Sequence, residues 1–418
     1  MRRLGHLRPL YGVMAILVLA SLMLVAWRPS ASPPTKIRFL QMEYDNTVGA
    51  DMKALAEKFT KENPDIQVEI MTLGWPPGHD TIQTWIKAKT VPDAGNIAAR
   101  WVGEWYDSLE PWESYLSTGF ADKTFPKSFL ETGMFKGKLY GLPYFMDDRV
   151  LYYRPDVFEK KGLKAPTNWD ELWKAARAVN NPDGNFSSFL VAGGEANGFA
   201  HQFENFLYAA GGDFWDAKGN VIINKPEGLA TMDLLCGMVK EGLAQPGAIS
   251  QDEWASDQAF KAGDAAMWTS GPWLFGMMDK ETPDLKYAMS PIPIGKVSGT
   301  AAAPDLVVLF KDSPNKQAAA KFSEFLYRPD NRKMWLKGRG SIPDTIETIA
   351  DPEFANNPKW KIFIDEMANA HVEPQTATTG RLYEELTKAG QACMLGQKTA
   401  KQAVDDLASL MEKELAKP

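Results

Sequence analysis

The sequence is poor in the residues that build metal and nucleophile sites. Only four histidines (His6, His79, His201 and His371) and two cysteines occur among 418 residues. No two of the histidines stand at ligand spacing, and neither CxxC nor HExxH is present. The GxSxG motif of serine hydrolases is missing as well. These absences argue against a zinc site and against an enzyme built on a serine triad, and we expect no metal.

Phosphate-binding loops are also missing, since neither GxxxxGK[ST] nor GxGxxG after a strand occurs. We therefore expect no nucleotide and no other cofactor. The first 34 residues carry four arginines and no acid, so the remaining chain holds 42 of the 46 basic residues against all 53 acids. Nucleic-acid affinity depends on lysines and arginines that displace counterions, so this acidic body argues against nucleic-acid binding.

The N-terminus has the order of an export signal. Arg2, Arg3 and Arg8 precede an uncharged run from Leu10 to Trp27, and a Pro/Ser-rich stretch follows. The run has 18 residues, which is also just enough to span a bilayer. Two interpretations of residues 1–32 stay open: a cleaved signal peptide, or an uncleaved N-terminal membrane anchor. Both place the body outside the cytoplasm, in the periplasm.

The two cysteines, Cys236 and Cys393, are far apart in the sequence. Neither follows the apolar run, so a lipid-attachment cysteine is excluded. They could pair in an oxidising compartment, but we expect two buried free thiols.

The body alternates short strands with longer helices. Lys36 to Met42 alternates like a half-buried strand, Ala50 to Thr60 has helical apolar spacing, and Ile66 to Thr72 is a second strand. This order predicts a βαβ unit with parallel strands, and hence an α/β protein. Further predicted elements are helices at Trp169–Val179, Glu227–Glu241 and Asn315–Tyr327, a strand at Leu306–Phe310, and two helices within Arg381–Lys417.

Aromatic and charged residues cluster together at several places in a chain with 14 tryptophans. Sugars need this mixture, because their C–H faces stack on rings while their hydroxyls bond to polar groups. Asp147 and Asp148 could in principle form the carboxylate pair of a glycosidase. Neighbouring residues on an extended strand point to opposite faces, however, so a structural role for the pair is favoured.

Four stretches, in this order, resemble a known family. They are AEKFTKENPDIQVEI (56–70), Val91-Pro92-Asp93, LYGLPYFMDDRVLYYRPDVF (139–158) and FKAGDAAMWTSGPW (260–273). From about Lys36 to Pro418 the chain resembles the extracellular solute-binding proteins of ABC importers, the branch with the maltose-binding and glycerol-3-phosphate-binding proteins. No single stretch decides the matter, but the order of all four is characteristic.

The resemblance implies a periplasmic-binding-protein-like fold: two α/β lobes, a hinge of crossing strands and a central ligand cleft. Residues 36–145 plus about 304–345 would form lobe 1, and residues 146–303 plus about 346–418 would form lobe 2. The implied partners are a small-molecule carbohydrate and the inner-membrane permease subunits with their cytoplasmic ATPase. The protein itself would be a monomer.

The resemblance also implies ligand contacts, of which Trp273 is the leading stacking ring. The complete set of expected contacts is Glu43, Tyr44, Trp75, Arg100, Trp101, Tyr144, Asp147, His201, Trp268, Trp273 and Arg381. Arg381 departs from the maltose-binding type, which has an aromatic residue near this position. A guanidinium there could bind an anionic group.

Three functions therefore stay open. The first is capture of a sugar, oligosaccharide or polyol for an ABC importer. The second is binding of glycerol 3-phosphate or another sugar phosphate, and the third is a secreted glycosidase. The sequence does not distinguish a binding protein coupled to a permease from one coupled to a sensor.

Overall fold

The computed structural model describes residues 33–181, 186–194 and 196–414. The predicted signal peptide or anchor, residues 1–32, lies outside the described residues. Among the helices that are described, none combines the length and the apolar composition needed to cross a bilayer.

Thirteen strands occur in the described residues. They are β1 Thr35–Met42, β2 Ile66–Leu73, β3 Ala94–Ala98, β4 Leu109–Glu110, β5 Met134–Phe135, β6 Lys138–Leu139, β7 Gly141–Phe145, β8 Val150–Tyr153, β9 Met267–Ser270, β10 Ala288–Ser290, β11 Thr300–Ala302, β12 Asp305–Phe310 and β13 Ala370–Val372.

The same residues form eighteen α-helices. They are α1 Val48–Glu62, α2 Trp75–Ala88, α3 Arg100–Trp105, α4 Phe120–Thr124, α5 Lys127–Glu131, α6 Pro155–Lys160, α7 Trp169–Val179, α8 Ala196–Ala209, α9 Pro226–Lys240, α10 Glu253–Ala262, α11 Pro272–Glu281, α12 Lys316–Leu326, α13 Pro329–Arg339, α14 Ile346–Ala350, α15 Pro352–Ala355, α16 Pro358–Glu366, α17 Thr379–Met394 and α18 Ala400–Glu414. Short 3₁₀ turns lie at Tyr106–Ser108, Trp112–Ser114, Ala248–Ser250 and Met367–Asn369.

The larger sheet has the order β2-β1-β3-β12-β4, and β7 pairs with β12 as well. Strand β1 runs parallel to β2 and β3, whereas β12 is antiparallel to β3, β4 and β7. Helix α1 connects β1 to β2 and buries Met52, Leu55 and Phe59. It ends at Glu62, because Pro64 disfavours a helical conformation in Asn63, the residue before it. This is the predicted βαβ unit.

The second sheet is the antiparallel set β10-β8-β9. Beside it, helices α8, α9, α17 and α18 share a core that includes Phe203, Leu235, Leu386 and Val404, all buried. The C-terminal helices therefore pack against segments more than 150 positions earlier in the chain.

The chain passes between the two sheets at three neighbouring places. Strand β7 leads through residues 146–149 into β8. Strand β11, which pairs with β13 in a separate two-stranded sheet on the side of the second sheet, leads through residues 303–304 into β12. Asp305 pairs with Phe145, and Met146 forms an isolated antiparallel bridge with Ile342 in the third passage. The sheets with their helices form two α/β lobes, as predicted.

The bounds of the lobes stay a proposal. Helix α13 lies at the proposed boundary, because Trp335 packs in the core of the larger sheet while Leu336 packs with Val150 and Trp268. We propose that the first lobe ends in α13, slightly before the predicted residue 345.

The two cysteines are paired, contrary to the expectation of free thiols. Cys236 on α9 and Cys393 on α17 form a disulfide with a Cα–Cα separation of 5.9 Å, and the described residues contain no free cysteine. The prediction was wrong because a spacing of 157 residues carries no signal for pairing, whereas packing of α9 against α17 brings the two together.

Alkylation tests this pairing. Iodoacetamide should label neither cysteine in guanidinium-denatured, unreduced protein, and should label both after dithiothreitol, as read by intact mass. Because the bond closes a long loop, reduction should also lower the unfolding free energy by about 2–5 kcal/mol. Labelling of both thiols without reductant would contradict the pairing.

Candidate functional site

A cavity of about 420 Å³ lies beside the passages between the lobes. This volume is in the usual range for a small-molecule site. Its walls combine tryptophan rings with many carboxylates. The lining residues are Glu43, Tyr44, Asp45, Asn46, Gly74, Trp75, Arg100, Phe145, Asp147, Arg149, His201, Asp252, Glu253, Trp254, Asp257, Trp273, Ala303 and Asp305.

Seven of the eleven expected contacts line this cavity. They are Glu43, Tyr44, Trp75, Arg100, Asp147, His201 and Trp273. The structure thus brings together predicted residues that are far apart in the sequence, from Glu43 to Trp273. Their contact with a ligand stays a prediction.

Tyr144 and Trp101 lie behind the wall. The Tyr144 hydroxyl donates to Gln41 Oε1 at 2.8 Å, and the Arg332 guanidinium covers its ring at 4.9 Å. Trp101 is 4% exposed and packs behind Trp75, with ring centroids 5.7 Å apart. Both residues can act on a ligand only by holding a neighbour in place.

Trp268 and Arg381 also lie outside the cavity wall. Trp268 is 1% exposed, and its Nε1 donates to Asp257 Oδ1 at 2.7 Å. Arg381 is exposed in the first turn of α17. The sequence suggested an anionic ligand because Arg381 was expected in the cleft. Arg381 does not line the cavity, so this reason for an anionic ligand falls away.

Trp273 is held at the wall by its backbone and by Asp257. Pro272 begins α11, and a Cβ at Gly271 would lie 1.9 Å from Trp273 Cζ3, so only glycine leaves room for the ring. Trp273 Nε1 donates to Asp257 Oδ2 at 2.7 Å, while Ser270 donates to the other oxygen at 2.8 Å. Burial, with a smaller effect of Glu253, raises the pKa of Asp257 to about 7.

Arg149 joins this ring to the carboxylates of the cavity. Its guanidinium lies 4.5 Å from the centre of the Trp273 ring. Arg149 NH1 donates to Asp147 Oδ2 at 2.8 Å, and Nε lies 3.4 Å from Glu253 Oε1. Asp147 also accepts from the Ala303 amide at 2.9 Å, which ties two of the interlobe passages together.

His201 and Arg100 extend the ionic contacts to the larger sheet. His201 Nδ1 lies 3.6 Å from Glu253 Oε2, and Nε2 lies 3.3 Å from Glu373 Oε2. Arg100, at the start of α3, places NH1 3.2 Å from the same Glu373 oxygen. We call the six residues with alternating charge the charge chain: Arg100, Glu373, His201, Glu253, Arg149 and Asp147.

Tyr44 and Asp305 form the opposite part of the wall. The Tyr44 hydroxyl donates to Asp305 and accepts from Asn96 Nδ2 at 2.8 Å. Its ring stacks on Phe145 with a centroid distance of 4.5 Å. Burial raises the pKa of Asp305 well above its ordinary value.

Sequence reasoning missed several residues of the wall, notably Arg149, Glu253, Trp254, Asp257 and Asp305. One signal was available: Glu253 and Asp257 stand four apart, so they share a face of the helix that Asp252 caps. Nothing local indicates that this face turns towards the cavity. Asp305 opens an apolar strand, and its role depends on pairing with β7.

His201 is held between two carboxylates. Burial and the neighbouring Arg149 would lower its pKa, but the contacts with the carboxylates of Glu253 and Glu373 outweigh both and raise the pKa to about 9. Conversely, burial would raise the pKa of Glu253, yet Arg149 and His201 outweigh it and lower the pKa to about 2. At neutral pH the cavity therefore holds an imidazolium between two carboxylates.

This arrangement predicts a pH dependence of stability. The folded pKa of His201 is above the unfolded value, so its contribution is complete below about pH 6.5 and is lost as pH rises through about 9. Urea unfolding should show a loss of about 3 kcal/mol over this window, and His201→Gln should remove most of it. His371→Gln, at an exposed site outside the cavity, is the control; equal pH slopes in His201→Gln and wild type would contradict the assignment.

The sequence matches a known family over most of its length. Bacterial extracellular solute-binding proteins match residues 45–333. A binding protein of Brucella abortus strain 2308 is 28% identical over 405 residues, covering 96% of this chain and 98% of that protein. The multiple sugar-binding protein of Streptococcus mutans serotype c is 24% identical over 407 residues, covering 89% and 93%.

Solved structures share the fold. An ABC transporter solute-binding protein from Thermotoga lettingae TMO, bound with α-D-tagatose, has a TM-score of 0.86 at 24% identity and covers 91% of this chain and 100% of its own. One from Agrobacterium radiobacter K84 in complex with ribitol has a TM-score of 0.79 at 21% identity, covering 91% and 99%. The fold is periplasmic-binding-protein-like. Because the family match covers well over half of this chain, the chain belongs to the bacterial extracellular solute-binding proteins.

Proposed function

We propose that the protein captures a sugar, oligosaccharide or polyol in the cavity between its lobes and delivers it to an ABC importer. The observation that carries this proposal is the Trp273 ring, fixed at the cavity wall among carboxylates that accept hydrogen bonds. The relatives named for sugar binding, and the similar structures that hold tagatose and ribitol, support the same class of ligand.

The wall suits a polyhydroxylated ligand for a physical reason. Trp75, Trp254 and Trp273 supply apolar ring surface, on which the C–H faces of a sugar can stack. Carboxylate oxygens such as those of Glu43 accept hydrogen bonds from hydroxyl groups, and bonds to charged acceptors are the stronger kind. A purely apolar ligand would leave these acceptors desolvated and without donors, which is unfavourable.

Transport needs a change of state on binding. The cavity wall takes Tyr44, Trp75 and Arg100 from the larger sheet's lobe, and Glu253 and Trp273 from the other lobe. A ligand that touches both groups at once stabilises a closed arrangement of the lobes over an open one. We propose that the closed form, as a monomer outside the cytoplasm, is what the permease recognises.

The proposal includes no chemical step. Both oxygens of Asp147 already accept hydrogen bonds, one from Arg149 and one from the Ala303 amide. A glycosidase needs one carboxylate free to attack the sugar or to activate a water, and a second carboxyl group free to protonate the leaving oxygen. Asp147 is therefore assigned to positioning the charge chain, and purified protein should release no product from aryl glycosides.

Replacing Trp273 should abolish binding. In thermal-shift assays, the best neutral sugar at 100 times its Kd should stabilise the wild type by about 2.7 kcal/mol. We expect Trp273→Ala to lose this shift, because the stacking face is removed, and to keep nearly the melting temperature of the ligand-free wild type.

Trp173→Ala is the matched control, since this half-buried tryptophan lies outside the cavity and packs beside Arg177. It should keep the sugar-induced shift even if it melts earlier. A full shift in Trp273→Ala, or no shift with any sugar or polyol in the wild type, would overturn the proposal.

A further inference from the structure

The cations of the cavity are already neutralised. Arg100 bonds to Glu373, and Arg149 bonds to Asp147 and faces Glu253. His201 lies between Glu253 and Glu373. Each positive group in the wall is therefore paired with at least one carboxylate. Among the described residues, the one buried arginine nitrogen of this group without a hydrogen bond is Arg149 Nε, which lies 3.4 Å from Glu253 Oε1 and is not accessible to an anion on the ligand.

Four carboxyl groups of the wall, in contrast, take part in no salt bridge within the described residues: Glu43, Asp252, Asp257 and Asp305. Asp252 caps α10 and accepts from the Ala255 amide at 2.6 Å. Asp305 accepts from the neutral Tyr44 hydroxyl, and Asp257 accepts from two indoles and a serine. Glu43 is exposed at the edge of the cavity and has no side-chain hydrogen bond among those residues. The wall therefore offers carboxyl oxygens that can accept further hydrogen bonds, whereas each of its cations already has a carboxylate partner.

This balance holds even where burial keeps a proton on a carboxyl group. Burial raises the pKa of Asp257 to about 7 and that of Asp305 well above its ordinary value, so neither is counted as an anion. The charged residues that remain are Glu43, the charge chain, and Asp45 and Asp252 at the edge. Asp45 pairs with Arg339, whose NH1 lies 3.0 Å from Asp45 Oδ2. The three cations of the charge chain and Arg339 still face a larger number of anions, so the cavity has no net positive charge.

From this distribution we infer that the cavity selects its solute by charge. This inference rests on the proposed function and narrows it: a neutral polyhydroxylated solute is accepted, the same solute bearing a basic amino group binds more tightly, and its phosphorylated or carboxylated form is excluded. An anionic group would enter without a free cation and beside like charges, which is costly in a partly buried site. An ammonium group would meet the Glu43 carboxylate at the edge of the cavity.

Matched sets of ligands test this selection by titration calorimetry at pH 7. The probes are glucose, glucosamine and glucose 6-phosphate; galactose, galactosamine and galacturonate; and glycerol with glycerol 3-phosphate. In the set whose neutral member binds, the amine should bind about tenfold tighter, and less so at high salt, because exposed charges are screened. The anion should bind at least about a hundredfold more weakly.

Glu43→Gln provides a second readout. The ratio of amine affinity to neutral affinity should fall towards one in this variant, whatever happens to the affinities themselves. Glu57→Gln, an exposed glutamate on α1 remote from the cavity, should leave the ratio unchanged. The ratio separates an electrostatic role of Glu43 from a merely structural one.

The outcomes are distinguishable. A neutral sugar that binds while its phosphate or uronate binds within tenfold of it overturns the inference and leaves the proposed function intact. An amine that binds no tighter than its neutral parent also overturns it. If no neutral sugar or polyol binds, the proposed function itself fails, and the inference fails with it.

Discussion

The need to neutralise two buried arginines, Arg100 and Arg149, constrains the whole region between the lobes. A guanidinium removed from water needs partners with good geometry, because an unpaired buried charge costs several kcal/mol. The charge chain supplies these partners from segments far apart in sequence: Asp147 lies in the first passage between lobes, Glu253 begins α10, and Glu373 follows β13. Each segment must take its place for the arginines to be compensated, so the charge chain holds these segments together beside the cavity.

The same compensation shapes the chemistry of the cavity. Because the cations are used up internally, the wall presents rings and hydrogen-bond acceptors to an incoming solute. Asp257 holds the indoles of Trp268 and Trp273 with one oxygen each, and Gly271 gives the Trp273 ring its room. The recognition surface is thus pre-formed by contacts that no ligand has to make, which lowers the entropy lost on binding.

Much of the fold was accessible from the sequence. Apolar periodicity located β1, α1 and β2 within about two residues, because these elements form by local pattern and pack on one sheet. The disulfide between α9 and α17 was not accessible, since it depends on packing between segments separated by 157 residues.

The residues of the site were also predictable only where the local sequence carries the signal. Residues next to strand ends or in family-like motifs, such as Trp75, Arg100 and Trp273, reached the cavity wall. Trp101, Tyr144 and Trp268 have the same residue types in the same motifs, yet they lie one layer deeper. Tertiary packing decides whether a ring faces the cavity or is covered by a neighbouring side chain. The local sequence pattern is the same in both cases. Arg149 and Asp305 entered the site only through contacts across the passages.

The most direct test of the central claim is a crystal structure of the protein with the tightest-binding neutral sugar. The account predicts one sugar molecule in the interlobe cavity, stacked on Trp273 and donating hydroxyl hydrogen bonds to carboxylates of both lobes, with the charge chain unbroken. A sugar bound elsewhere, or one that displaces Glu253 or Asp147 to pair with Arg149, would contradict it.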